Sequence, residues 1–171
     1  MFVFCSGNLY TSEKTAEGWS ELEKLPSSIN ISSWQSDAIL TSDGQHILFT
    51  AQKKTDHEVG SSRNIFVSHR TSYGGWSTPE SLGPTINTAG TDRSPFIHPD
   101  MHTLYFVSDR HSSLGNQDVF VSHRLSDSSW TEWSEPVNLG KEINTPNREW
   151  AYQISTDGKT AYFAKEVNGN Q

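Results

Sequence analysis

The stretch "WSEPVNLGKEIN" (133–144) has neither the spacing of a helix face nor the length of an unbroken strand. It recurs as "WSTPESLGPTIN" (76–87) and as "WSELEKLPSSIN" (19–30). Trp19, Trp76 and Trp133 are therefore 57 residues apart, as are Ile29, Ile86 and Ile143 and then Asn30, Asn87 and Asn144. Two further columns keep the step: Asp43, Asp100 and Asp157, and Phe49, Phe106 and Phe163. A period of this length marks an array of like supersecondary units.

One period reads as four short strands. "SPFIHP" (94–99) is the first, "TLYFVSD" (103–109) the second, "DVFVSHR" (118–124) the third and "WSEPVNLG" (133–140) a short fourth. The second and third are almost continuously apolar, the pattern of strands covered on both faces. "SDGQ" (42–45) and "TDGK" (156–159) place Asp-Gly between the first two strands, a hairpin signal. In the middle copy, "PDMH" (99–102), Met101 takes the glycine's place, so that turn either changes type or strains Met101. The prediction is an all-β fold, a β-propeller of four-stranded blades in which the Trp and Phe columns pack blade on blade. The repeated phrase becomes the outer strand and the crossover to the next blade.

Composition agrees with such a fold. The 171 residues suffice for one domain, and six Trp, five Tyr and eight Phe offset a hydrophobic fraction of only 33%. A net charge of −7 without a basic stripe argues against nucleic acid as a partner. Cys5 is the single cysteine, so no internal disulfide forms, and in an N-terminal strand it reads as buried rather than reactive. No apolar run reaches membrane-span length, and "MFVFCSG" (1–7) lacks the basic and long apolar segments of a signal peptide.

"RSPFIHPDMHTLYFVSDR", "DVFVSHR", "WSEPVNLG", "INTPNRE" and "STDGKTAYF" resemble the TolB-like, WD-repeat-like propellers of bacterial envelope proteins, and the resemblance runs along the whole chain. It implies a propeller fold and a periplasmic or envelope setting, and it leaves function open. Propellers close with four to eight blades. Here the units run over about 1–36, 37–93 and 94–150, with 151–171 opening another. Two complete blades (37–83 and 94–140) lie between two partial ones. The expectation is a homodimer closing a six-bladed ring by strand exchange, or a piece of a longer protein.

By analogy with propellers, the ligand face lies at the loops entering the innermost strand and at those joining the second and third strands. Just before each innermost strand stand Trp34-Gln35-Ser36, Thr91-Asp92-Arg93 and Arg148-Glu149-Trp150, equivalent in place but not in chemistry. Trp34, Gln35, Asp92, Arg93, Arg148, Glu149 and Trp150 are the candidate ligand contacts: acids and amides grip hydroxyl or peptide groups, and Trp faces stack on sugars or cations. The competing reading has Asp92 and Glu149 pairing with the arginines or capping loop N–H groups. His57, Glu58, Arg63 and His111 share that face, and Asp109-Arg110 is read as a salt bridge between blades.

No cofactor is expected. His98 and His102 flank a turn rather than share a helix face, His69 and His123 occupy like places in third strands, and no loop carries an EF-hand ligand series. For catalysis only Asp92 and Glu149 form a candidate carboxylate pair, which glycoside hydrolysis would need roughly 5 Å apart for retention or 6.5–9.5 Å for inversion. Three functions stand open. The first is a non-catalytic module binding a glycan, peptide or protein; the others are a glycan-active hydrolase or lyase and a purely structural self-assembling half-propeller.

Overall fold

The computed structural model describes residues 1–52, 62–109 and 112–167, and among them every regular element is a β-strand. No helix there is long and apolar enough to cross a membrane. The chain opens with β1 (Phe2–Cys5) and β2 (Asn8–Thr11), then the small hairpin β3 (Lys14–Thr15) and β4 (Gly18–Trp19), and β5 (Glu23–Lys24). β1, β2 and β5 form a three-stranded antiparallel sheet in that order. β6 (Gln35–Leu40), β7 (His46–Gln52), β8 (Arg63–His69) and β9 (Glu80–Ser81) make a four-stranded antiparallel sheet in chain order. β10 (Asp92–Ile97), β11 (Thr103–Ser108), β12 (Asp118–His123) and β13 (Val137–Asn138) make a second, and β14 (Glu149–Ile154) pairs with β15 (Ala161–Lys165).

Side chains alternate across a strand, and each central strand uses both faces. In β7, Ile47, Phe49 and Ala51 pack against Leu9, Leu25 and Ile29 of the first segment. Leu48 faces the other way and joins Leu104, Phe106 and Phe120 of the following sheet, with Trp130 and Trp133. Phe163 in turn packs with Val107, Val119 and Tyr152. The Phe column thus always inserts toward the sheet before it. Trp133 is buried with Phe106 and Trp76 packs with Phe49, whereas Trp19 is 55% exposed.

Each Asn of the repeated phrase bonds twice to one third-strand residue. The Leu9, Ile65 and Val119 N–H groups donate to the side-chain oxygens of Asn30, Asn87 and Asn144 at 2.8, 2.7 and 2.8 Å. The amides donate back to the carbonyls of the same residues at 3.2, 2.8 and 2.9 Å. A side-chain amide here supplies the donor and acceptor a strand would supply, and it ties the crossover to the sheet being left. The serine of each "WS" does related work: Ser12, Ser68 and Ser122 Oγ donate to the carbonyls of Ser20, Ser77 and Ser134.

The fourth strand is shorter than the sequence suggests. Of 133–140 only Val137–Asn138 is strand, with an isolated bridge from Trp133 to Arg124, and the equivalent β5 and β9 are equally short. Cys5 is exposed rather than buried, since the outer part of β1 lies at the surface. The innermost strands begin earlier than expected and take in Gln35, Asp92 and Glu149 as their first residues. Each also carries a bulge, with register shifts at 36–39, 93–96 and 150–153 and left-handed residues at Asp37 (φ 54), Ser94 (φ 51) and Ala151 (φ 55).

At the hairpin turns Gly44 and Gly158 have φ 70, and Met101 keeps the left-handed geometry at φ 65. That conformation costs a non-glycine residue about 1–2 kcal/mol. Met101 also packs against the core between the two four-stranded sheets. Asp100 holds the turn, accepting from the His102 and Thr103 N–H groups at 2.8 Å and from Thr103 Oγ1 at 2.7 Å. Partial burial pushes its carboxyl up, but these bonds and nearby His98 outweigh burial and bring it down to about 2.

Two outcomes follow. Asn144→Ala strands a buried N–H and C=O of Val119 and lowers unfolding free energy by about 3 kcal/mol, measured by chemical denaturation, while the half-exposed Asn30→Ala costs less. The stabilising bonds of ionised Asp100 are fully present above about pH 4 and are lost as pH falls toward 2. Asp100→Asn therefore costs about 1 kcal/mol at neutral pH, allowing for solvent screening, and the gap to the unmodified chain closes in denaturation curves near pH 2.

Candidate functional site

Gln35, Asp92 and Glu149 are all fully buried. The Gln35 side-chain oxygen accepts from the Ser32 N–H at 2.8 Å, and its amide donates to the carbonyls of Gly7 and Ser32 at 2.9 and 3.0 Å. Asp92 accepts from the Thr88 N–H and, at 2.8 Å, from Thr88 Oγ1, with Ser108 Oγ on its other oxygen at 2.6 Å. Glu149 accepts from the Thr145 N–H at 3.1 Å and from Thr145 Oγ1. Each group closes the loop that delivers its own strand. A buried carboxylate is tolerated when so bonded, and these oxygens meet a ligand only if the loops open. Instead of lining a mouth together, each acid is spent on its own loop.

The other candidates spread over the loop end of the sheets. Trp34 is half-buried, with Phe4 edge-on at 5.7 Å and the Arg63 guanidinium over its ring at 4.3 Å. Arg93 reaches back to Asp37 at 3.2 Å, an ion pair between neighbouring sheets. Arg148 is exposed, and Trp150 is 37% exposed. Asp109 accepts the Thr91 N–H at 2.8 Å. His57, Glu58, Arg110 and His111 lie outside the described residues. His98 pairs with Asp100 at 3.1 Å and His102 with Asp127 at 3.2 Å. Among the described residues no cluster of three or more His, Cys, Asp or Glu is placed to hold a metal.

Sequence reasoning missed the groove that the three bulges create. β6, β10 and β14 converge on a cavity of about 230 Å³ lined at equivalent positions by Asp37, Ser94 and Ala151, then Ala38, Pro95 and Tyr152, then Ile39, Phe96 and Gln153. Its polar side is one network. Asp37 Oδ2 accepts from Arg93 Nη2 and Ser94 Oγ, both at 3.2 Å, and from Thr50 Oγ1 at 3.3 Å. Thr50 Oγ1 in turn accepts the Ser94 N–H at 3.1 Å. Its apolar side is aromatic: Tyr152 lies 5.0 Å from Tyr105 and 6.2 Å from Phe163, and Phe96 lies 6.3 Å from Tyr105. The signal was available one position beyond the variable triplets, where the copies read Asp, Ser and Ala.

A second cavity, of about 470 Å³, opens between the two four-stranded sheets at their turn end. Trp130 forms its wall, with the Arg124 guanidinium 4.4 Å from its ring and His46 4.9 Å away. Burial lowers the His46 imidazole below its usual value; Asp43 opposes this, while His69 and Arg124 add to it. The Arg124 side chain is only 6% exposed and lies 3.8 Å from Asp127.

No protein-family model matches the chain, and no curated protein matches it.

Glu149→Ala unbinds the Thr145 loop and lowers stability by about 2–3 kcal/mol. Glu149→Gln keeps an acceptor and costs less than half of that. Thermal and chemical denaturation of the two variants test the assignment; equal stability of all three proteins would mean that Glu149 does not hold the loop.

Proposed function

We propose that the chain is part of a β-propeller of TolB-like type whose sheets are its blades, and that it is a non-catalytic module binding its ligand in the groove between the innermost strands. The carrying observation is that three strands 57 residues apart repeat one left-handed bulge, at Asp37, Ser94 and Ala151, and turn those bulges toward one groove. Bulges re-aim side chains and persist where a site needs them. Among the described residues the inner edges of β6, β10 and β14 join no further ladder, and their Gln35, Ser94 and Glu149 N–H groups donate instead to the Gly7 carbonyl, Thr50 Oγ1 and the Gln117 carbonyl.

The non-catalytic part of the reading draws on Asp92 and Glu149. A hydrolase acting through them needs one protonated and one free carboxyl at the scissile bond, and both are committed to loop N–H and hydroxyl groups. Trp34, Arg93 and Trp150 remain the triplet residues nearest in kind to ligand contacts, at the loop end of the groove. Self-association belongs to the same proposal. Tyr162 is 73% exposed on β15, where the equivalent Leu48 of β7 is fully covered by the next sheet, so a second copy covering this face would complete the ring.

Gln153→Trp tests the groove, because Gln153 is an exposed lining residue whose enlargement fills the space without touching the core. The variant keeps the parent's melting temperature and loses binding of any glycan or peptide retained by the parent in native mass spectrometry. The same spectra report particle size: paired chains support ring closure, and monomers alone at micromolar concentration count against it.

A further inference from the structure

We infer that the groove takes an ammonium group carried on a compact apolar body, with the charge at the free oxygen of Asp37 and the body against Phe96 and Tyr152. This rests on the groove reading above and adds the chemical class of the ligand.

The first ground is an acceptor with nothing to accept. Asp37 is the one charged residue lining the groove. All of its bonds fall on a single oxygen: Oδ2 takes Arg93 Nη2, Ser94 Oγ and Thr50 Oγ1, at 3.2–3.3 Å. A guanidinium holds a carboxylate best through two parallel bonds. Arg93 makes one, and makes it from outside the groove lining. Asp37 Oδ1 receives no donor from the described residues, and the side chain is partly exposed. Ser94 Oγ donates its proton to Asp37 and keeps lone pairs of its own. The polar end of the groove therefore offers acceptors, and a ligand must bring the donors.

The second ground is what surrounds that end. Ala38, Ile39, Pro95 and Phe96 line the groove beside Asp37 and Ser94, together with the buried Tyr152. Its volume of about 230 Å³ is below the roughly 300–1,000 Å³ of sites for drug-sized ligands. A sugar carries hydroxyls all round, and most of them would meet these apolar walls unpaired, which is costly. A small ligand with one polar end matches the lining. Ring faces attract a cation, so Phe96 and Tyr152 favour an ammonium over a neutral hydroxyl. Asp37 itself, in a chain of net charge −7, repels a carboxylate or phosphate. Arg93 competes with the ligand for Asp37, which gives a distinctive signature: removing this cation strengthens the binding of another.

The experiment is a titration of the folded chain with phenylethylamine, phenylethanol and phenylacetate, followed by calorimetry and by the backbone ¹H–¹⁵N signals of β6, β10 and β14. Phenylethylamine is expected to shift the Asp37, Ala38 and Phe96 signals. It binds about tenfold more tightly than phenylethanol, the difference between a charged and a neutral hydrogen bond, and phenylacetate binds most weakly. Asp37→Asn, which tolerates the left-handed backbone, brings the amine down to the alcohol. Arg93→Gln tightens the amine and leaves the alcohol unchanged. Phenylalanylglycinamide presents the same ammonium on a peptide terminus: binding as tight as the free amine's assigns a peptide as the source, and weaker binding assigns a small amine. Equal binding of amine and alcohol, tighter phenylacetate, an amine preference that survives Asp37→Asn, or weaker amine binding by Arg93→Gln overturns the ammonium assignment. Shifts confined to the three strands would then leave the groove reading in place. Amine binding unaffected by Gln153→Trp is surface association and overturns the assignment too. So does the absence of any shift with every probe, and the groove reading falls with it only if Gln153→Trp also spares the ligand retained in native spectra.

Discussion

A primary amide is the one side chain that offers a donor and an acceptor side by side, as a strand edge does. Asn30, Asn87 and Asn144 use this to grip Leu9, Ile65 and Val119, each by both its N–H and its C=O. The remaining amide hydrogen reaches toward the outer strand: to the Leu25 carbonyl, to Ser81 Oγ and to Asn138 Oδ1 respectively. The third strand is thereby satisfied past the point where its short partner stops. Without that grip the two-residue outer strands β5, β9 and β13 would leave buried backbone groups unpaired, which is costly. The preceding Ile29 and Ile86 are fully buried, so the same short turn places an apolar plug and a polar clamp in one step.

Much of this was legible in the sequence because it depends on residue type. The central strands could be read from their apolar runs, and the clamp from an asparagine that returns every 57 residues. The Asp-Gly turns were legible for the same reason, and Met101 showed where that rule is broken at a cost. The outer strand was overestimated because "WSEPVNLG" looks extended, yet only Val137–Asn138 joins the ladder, as only Glu23–Lys24 does in the first copy, which has no proline there. The candidate site was less legible. Gln35, Asp92 and Glu149 vary in charge, which suggested a ligand face, but all three solve one local problem with different chemistry: closing a tight loop around a buried acceptor. The bulges were harder to read: positions 37, 94 and 151 continue the variable column, but Ser94 and Ala151 give no sign of a positive φ and only Asp37 is of a type enriched there.

The differences among the copies are concentrated where sheets meet. The hairpin after β12 spans 125–133 against 71–76 in the preceding sheet and carries Trp130, which inserts into the core with Trp133. Arg124 stacks on this added tryptophan, while Arg70, at the like position, stacks on Trp76 at 4.6 Å. One scaffold thus accepts seams of different volume without disturbing the strands, because the clamps hold each sheet from within. That freedom lets the groove side vary as well, with Asp37 paired to Arg93 on one strand and a bare Ala151 on another.

The direction of the Phe column has a consequence for how the chain is made. Phe49 meets Leu9, Leu25 and Ile29; Phe106 meets Leu48 and Ile65; Phe163 meets Val107 and Val119. These partners lie earlier in the chain than the phenylalanine, while Phe66 and Trp76 for Phe49, and Phe120 and Trp133 for Phe106, come later. During synthesis from the N-terminus, each aromatic plug therefore leaves the ribosome with the facing sheet's half of its socket already made. Burial can begin in the order of translation, and for Phe49 and Phe106 it is completed when the rest of their own sheet follows.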